Sequence, residues 1–286
     1  MRRYPYLHLD VFTDRPFGGN PLSVFLDGEG LSASEMQSIA KEMNHSVTTF
    51  LFPAERGGAA KMRIFTPVVE LPFAGHPVIG SVFALALENP INGEVTLEVG
   101  EGQISTRIER ENGAPSFVWM TQRRPENGAK LTDVDRLARA LGVGRGDIDG
   151  PAEVWSTGMA FLYVALNGLT PMGRIRVNLQ ILPELLQETG ARGVYAVTRE
   201  TLALKAAARA RCFPSGFGVS EDPATGSAAG GFAGFAMGRG WVKTGKFEVE
   251  QGIELGRPSR ILVDADGSSV RVGGRCVTMG RGELTL

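Results

Sequence analysis

The sequence predicts an α+β protein built from two similar halves. Three observations carry that expectation. Many short strand-like segments are set among a few helices. A glycine-rich apolar run over 224–237 suits a helix enclosed by strands, because each helical glycine costs up to ~1 kcal/mol relative to alanine and needs a packing reason. A motif also occurs twice, about 150 residues apart, as a duplicated unit would give.

Taken in order, Leu7 to Phe12 reads as a strand and Phe17-Gly18-Gly19-Asn20-Pro21 as a turn, followed by a strand over Leu22 to Leu26. Ser32 and Glu35 form a capping-box start, and Met36, Ile39, Ala40 and Met43 recur at helical spacing, which predicts a helix over 33–43. Strands follow at Val47 to Phe52 and Ala60 to Phe65, then an apolar helix from Gly80 to Leu87 and a hairpin within Glu94 to Ile108. The second half starts near Ser116, giving halves of 1–115 and 116–274, with 275–286 completing the first. Its segments are a helix from Asp133 to Leu141 ended by Gly142, strand over Val154 to Leu166, and a helix from Asn178 to Glu188 stopped by Gly190. Strands at Val194 to Val197 and Ala206 to Phe213, the small-residue helix from Ala224 to Met237, and strands at Ile261 to Val263 and Ser269 to Val272 complete the reading.

The 286 residues suffice for one large domain or two ordinary ones, and 43% hydrophobic with 21% charged residues suits a folded globule. A net charge of −1 gives no reason to expect nucleic acid or an acidic membrane as partner. The amino terminus lacks the unbroken apolar run of a signal peptide, and the longest strongly apolar run, Met159 to Leu166, falls far short of the ~20 residues that cross a bilayer. Cys212 and Cys276 are too few for a disulfide framework and lack zinc spacing, so they read as reduced thiols of a cytoplasmic protein.

The repeated motif is Arg-x-Phe on a strand, a short loop, then Glu-x-Pro-x-x-Gly entering a helix. It runs from Arg63 through Glu70 to Gly75, and from Arg211 through Glu221 to Gly226. A glycine at a helix opening lets backbone N–H groups approach a ligand, and those first N–H groups together with the helix dipole favour an anion. Two such openings facing one cleft would suit a small carboxylic acid.

These segments, Arg63-Ile64-Phe65-Thr66-Pro67-Val68-Val69-Glu70-Leu71-Pro72-Phe73-Ala74-Gly75-His76-Pro77 and Ser220-Glu221-Asp222-Pro223-Ala224-Thr225-Gly226-Ser227-Ala228, resemble the signatures of the PhzF-like family of phenazine biosynthesis. Asp10-Val11-Phe12-Thr13, Gly19-Asn20-Pro21, Gln251-Gly252 and Arg257-Pro258-Ser259 match in the same order. The resemblance implies the diaminopimelate-epimerase fold, with each of two pseudo-symmetric halves a β-barrel-like sheet around a central helix. It further implies a homodimer without metal or organic cofactor that isomerises a small amino- or hydroxy-substituted carboxylic acid by moving a proton.

On that resemblance His76 and Asp222 handle the proton. Gly75, Thr225, Gly226 and Ser227 hold the substrate carboxylate, and Asn20 either lines the cleft or serves only its turn. Two departures stand out. Epimerases of this fold use a cysteine before each helix glycine, where this chain has Ala74 and Thr225, and Cys212 on the preceding strand is no substitute. The family's acid/base glutamate is replaced by Val47, which carries no proton. His45, two residues away, would share a strand face with Val47 and is either a replacement base or only a hydrogen-bonded or surface histidine. Glu70 and Glu221 read as loop or capping carboxylates. The alternative to an isomerase is a non-catalytic acid-binding protein that has lost the glutamate.

Overall fold

A computed structural model describes every residue, Met1–Leu286. It contains two compact units, one formed by Met1–Thr121 with Gly273–Leu286 and the other by Gln122–Val272.

The first unit begins with β1 (Arg3–Val11) and β2 (Asn20–Phe25). Helix α1 (Ala33–Met43) follows; the Ser32 side chain and Glu35 form the expected capping box, and Asn44 ends the helix in the left-handed region. Next come β3 (Val47–Phe52), β4 (Ala60–Phe65), the short β5 (Glu70–Leu71), α2 (Gly75–Glu88), β6 (Gly93–Val99), β7 (Gly102–Glu111) and β8 (Ala114–Gln122). Helix α2 starts five residues before the predicted Gly80. Gly75, His76 and Pro77 look like loop residues, yet they occupy its first turn, where proline's missing N–H costs nothing because no intrahelical partner exists there.

The second unit contains β9 (Glu126–Leu131), α3 (Val134–Leu141) between the caps Asp133 and Gly142, β10 (Ala152–Ser156) and β11 (Ala160–Ala165). The single strand expected over Val154 to Leu166 is thus two, broken where Gly158 takes a positive φ of 135°. Helices α4 (Leu169–Arg174) and α5 (Leu182–Thr189) follow, the latter beginning four residues after the expected Asn178 and ending at left-handed Gly190. The rest is β12 (Gly193–Thr198), β13 (Ala206–Pro214), α6 (Gly226–Gly238), β14 (Gly245–Gln251), β15 (Ser259–Ala265) and β16 (Val270–Gly274). The chain closes with β17 (Cys276–Thr285), which pairs antiparallel with β1 along its length and so returns to the first unit.

Strand pairing in one unit repeats in the other. In the first, β1–β2 is antiparallel, β2–β3 parallel, β3–β4 antiparallel, β4–β6 parallel and β6–β7 antiparallel. In the second, β10–β11, β11–β12, β12–β13, β13–β14 and β14–β15 follow the same alternation. The central helix occupies the same place in each sequence, α2 before β6 and α6 before β14. Glu98 on β6 accepts backbone N–H bonds from Glu55, Arg56 and Gly58 in the loop before β4. Glu250 on β14 does the same for Leu202 and Ala203 before β13.

Strands surround both central helices. α2 packs on β1, β2, β3, β6 and β7; α6 packs on β9, β10, β11 and β15. The α6 glycines make room for side chains. A Cβ at Gly230 would lie 1.8 Å from Gln122 Oε1, at Gly231 2.3 Å from the Tyr163 hydroxyl, and at Gly234 2.4 Å from the Trp155 ring. Tyr163 uses that access to donate to the Ala228 carbonyl at 2.6 Å, so part of the lost helix propensity is offset by buried hydrogen bonds.

Candidate active site

In the first unit, the β2 side chains alternate between two helices. Leu22 lies against α2, where a Cβ at Gly80 would meet it, and Asn20 is on the same side because strand side chains repeat every two residues. Ser23 and Phe25 point the other way, Phe25 into the cluster formed with α1. Strand β3 pairs in parallel with β2, Leu22 opposite Val47 and Val24 opposite Thr49. Val47 and Thr49 therefore share the α2 side, and Thr49 meets Ser81 of α2 at 3.0 Å.

His76 is the second residue of α2 and is 5% exposed. Its Nδ1 lies 3.3 Å from the Asn20 amide nitrogen, and Ser46 donates to the Asn20 amide oxygen at 2.5 Å. The Nε2 atom is buried and has no hydrogen-bond partner within the protein. Burial pushes the His76 pKa down to about 3, so the ring is neutral at physiological pH.

His45 is not beside Val47. Asn44 is left-handed and β3 starts only at Val47, so the alternation assumed for His45 does not extend back to it. Its Nδ1 meets Ser23 Oγ at 2.9 Å and its ring stacks on His8 with centroids 4.5 Å apart. Ser23 is on the α1 side of β2, so His45 is directed away from the α2 opening.

The second unit builds its opening with a polar network. Thr225, the N-cap of α6, gives its hydroxyl to Asp222 Oδ2 at 2.6 Å and leaves the helix without a side-chain cap. Gln251 holds the loop: its amide donates to the Asp222 carbonyl at 2.7 Å and to Thr225 Oγ1 at 3.0 Å, and its oxygen accepts from Thr225 N–H and the Tyr195 hydroxyl. Ser227 is the second residue of α6, the position His76 holds in α2. At the other end of this turn Gln122 and Thr157 bond the Gly226 and Ser227 carbonyls. Neither central helix has a side chain capping its first amides, Ala74 being unable to and Thr225 being otherwise engaged.

The repeated Arg and Glu form matching clamps instead of caps. Arg63 binds Glu70 through two bonds of 2.7 and 2.6 Å, and Arg211 binds Glu221 through two of 2.8 and 2.7 Å. Each guanidinium lies over the phenylalanine of its own motif, 5.2 Å from the Phe65 centroid and 5.0 Å from that of Phe213. Strand and loop leading to each central helix are thereby tied together. Cys212 is buried on β13, where desolvation pushes its thiol well above the ordinary range. That makes it a packed, unreactive side chain.

The structure thus gathers Asn20 with His76, and Asp222 with Thr225. Sequence reasoning left out Ser46 and Tyr195. Gln251 was noticed only as a motif match, although its place beside a positive-φ glycine, Gly252, marks a held turn.

A sequence profile described as PhzC-PhzF, phenazine biosynthesis-like protein, matches residues 9–282. The trans-2,3-dihydro-3-hydroxyanthranilate isomerase of Pseudomonas chlororaphis is 37% identical over 98% of this chain and 99% of its own. The crystal structure of a PhzF-family protein from Bacillus anthracis superposes over all of both chains with a TM-score of 0.89 at 28% identity. A hydroxyproline epimerase from Agrobacterium vitis shares the fold alone, with a TM-score of 0.67 at 15% identity over all of this chain and 93% of its own. With a profile spanning nearly the whole sequence and a fold shared from end to end, the chain belongs to the PhzC-PhzF family of phenazine biosynthesis-like proteins.

Proposed function

We propose that the chain is a cofactor-independent isomerase that moves a proton on a small amino- or hydroxy-substituted carboxylic acid. The observation that carries this reading is the His76 Nε2 atom, buried at a central-helix opening with no partner in the protein. A buried polar atom left unpaired costs about 1–3 kcal/mol, and a ligand that bonds to it explains why the cost is tolerated. His76 and Asp222 serve the proton transfer; the amides at Gly75 and Gly226, with Thr225, Ser227 and Asn20, hold and orient the acid. The relatives named as isomerases of trans-2,3-dihydro-3-hydroxyanthranilate make that compound the first substrate to try. Two thiols without a disulfide framework favour the cytoplasm; family resemblance adds a homodimer, and light scattering reads the oligomer directly.

Incubation in deuterated water tests the chemistry. Deuterium should enter a ring or α position of the acid, and His76→Ala or Asp222→Ala should each abolish it. If the protein binds such acids across a broad panel yet never exchanges a proton, it is a binding protein.

Val47 supports that second reading, since the family's proton carrier is absent and a buried valine faces the α2 side of β3. Val47→Glu separates the two: if the wild type exchanges no proton, exchange that appears in the variant identifies loss of the base as the reason.

A further inference from the structure

The chain of contacts Ser46–Asn20–His76 bears on the chemical state of the imidazole as well as its place. Asn20 is fully buried at the start of β2, and the two ends of its amide are told apart by what they touch. Ser46 Oγ lies 2.5 Å from one end. That separation suits O–H···O and is too short for N–H···O, which falls at about 2.7–3.2 Å. The amide oxygen therefore faces Ser46, and the NH2 faces His76 Nδ1 at 3.3 Å. An amide NH2 only donates, so Nδ1 accepts, and the single proton of the neutral ring sits on Nε2.

We infer that Ser46 and Asn20 are positioning residues that hold His76 as the Nε2–H tautomer, so that His76 donates a hydrogen bond to a substrate oxygen and does not itself collect the proton leaving carbon. The assignment rests on the isomerase reading above. A second proton on Nδ1 would set ring N–H against amide N–H, donor facing donor. Burial independently holds the ring neutral. An Nε2–H suits a carboxylate or carbonyl oxygen that gains charge as a neighbouring C–H bond breaks. The proton released there passes to a carboxylate base, the electron pair shifts into the conjugated system, and the same proton returns from that base to another carbon. His76 keeps its proton throughout.

Nitrogen-15 NMR reads the tautomer without substrate, and assignment is simple because the chain has 3 histidines. At neutral pH the His76 ring should show a protonated Nε2 and an unprotonated Nδ1. Asn20→Asp puts a carboxylate against Nδ1 and should bring a proton to that nitrogen. Ser46→Ala releases the amide and should give a mixture of tautomers, whereas Ser46→Thr keeps the hydroxyl and should restore the wild-type pattern. A wild-type ring protonated on Nδ1, or a Ser46→Ala spectrum identical to wild type, overturns the inference. If the variants do not fold, the wild-type spectrum decides alone. Deuterium exchange tests the isomerase reading separately, so the two can fail independently.

Discussion

His76 is neutral in the folded chain with a pKa near 3, whereas an ordinary histidine titrates near 6.5. Between those values the unfolded chain binds a proton that the folded chain refuses. Stability from this group is fully present above about pH 6.5 and declines as pH falls, by about 1.4 kcal/mol per unit once the unfolded ring is charged. His76→Gln removes the group. Its urea-unfolding free energy should therefore fall less steeply than wild type between about pH 6 and pH 4, and parallel slopes would mean the folded ring is already charged. Gly252 gives a second prediction at this scale. It has a φ of 78°, and a Cβ there would lie 2.4 Å from the Arg257 carbonyl oxygen and 2.5 Å from that of Pro223. Gly252→Ala should cost about 2–4 kcal/mol in chemical denaturation, from left-handed strain and overpacking together. His76 and Asp222 were named as candidates through the family signature. Ser46 was not, because it acts on His76 only through Asn20, a long-range contact that no local pattern records.

At the scale of the element, the two Arg–Glu clamps are chemically alike and differently exposed. The Arg211 and Glu221 side chains are 6% and 10% exposed, against 27% and 41% for Arg63 and Glu70. Removing one partner of a buried pair strands the other charge, a loss of about 3–5 kcal/mol, while an exposed pair is worth at most about 1. Glu221→Ala should lower stability several-fold more than Glu70→Ala in parallel denaturant titrations; equal losses would show that the buried clamp is wet. The α1 cap is worth about 1 kcal/mol, so Ser32→Ala should give a small but measurable shift in the same assay. Boundaries were legible where local chemistry sets them: α1 by its capping box, α3 by Asp133 and Gly142. They were missed where packing decides. The α2 opening of Gly75, His76 and Pro77 is helical because strands enclose it, and β17 carries Gly280 and Gly282 with little apolar alternation, gaining its order from β1.

Across the whole molecule, the duplication runs deeper than the short motif that disclosed it. Strand pairing, the central helix, the Arg–Glu clamp and the loop-holding glutamates Glu98 and Glu250 all recur, although few residues between them are alike. Pairing of distant strands leaves no trace in a single sequence, which is why the motif alone could announce the repeat but not its topology. The first unit depends on the last strand of the chain, and deletion of 276–286 tests that dependence. The truncated protein should lose protection from hydrogen exchange throughout Met1–Thr121 while Gln122–Val272 keeps it; uniform loss would mean the units do not fold separately.

That closing strand also governs birth on the ribosome. At roughly 5–20 residues per second, on the order of ten to thirty seconds pass between completion of the opening segment and emergence of β17. The inner unit has all its residues first, although it starts later. Throughout the interval β1 offers an open backbone edge to any neighbouring nascent chain, a hazard that grows with expression rate and that holding chaperones would relieve.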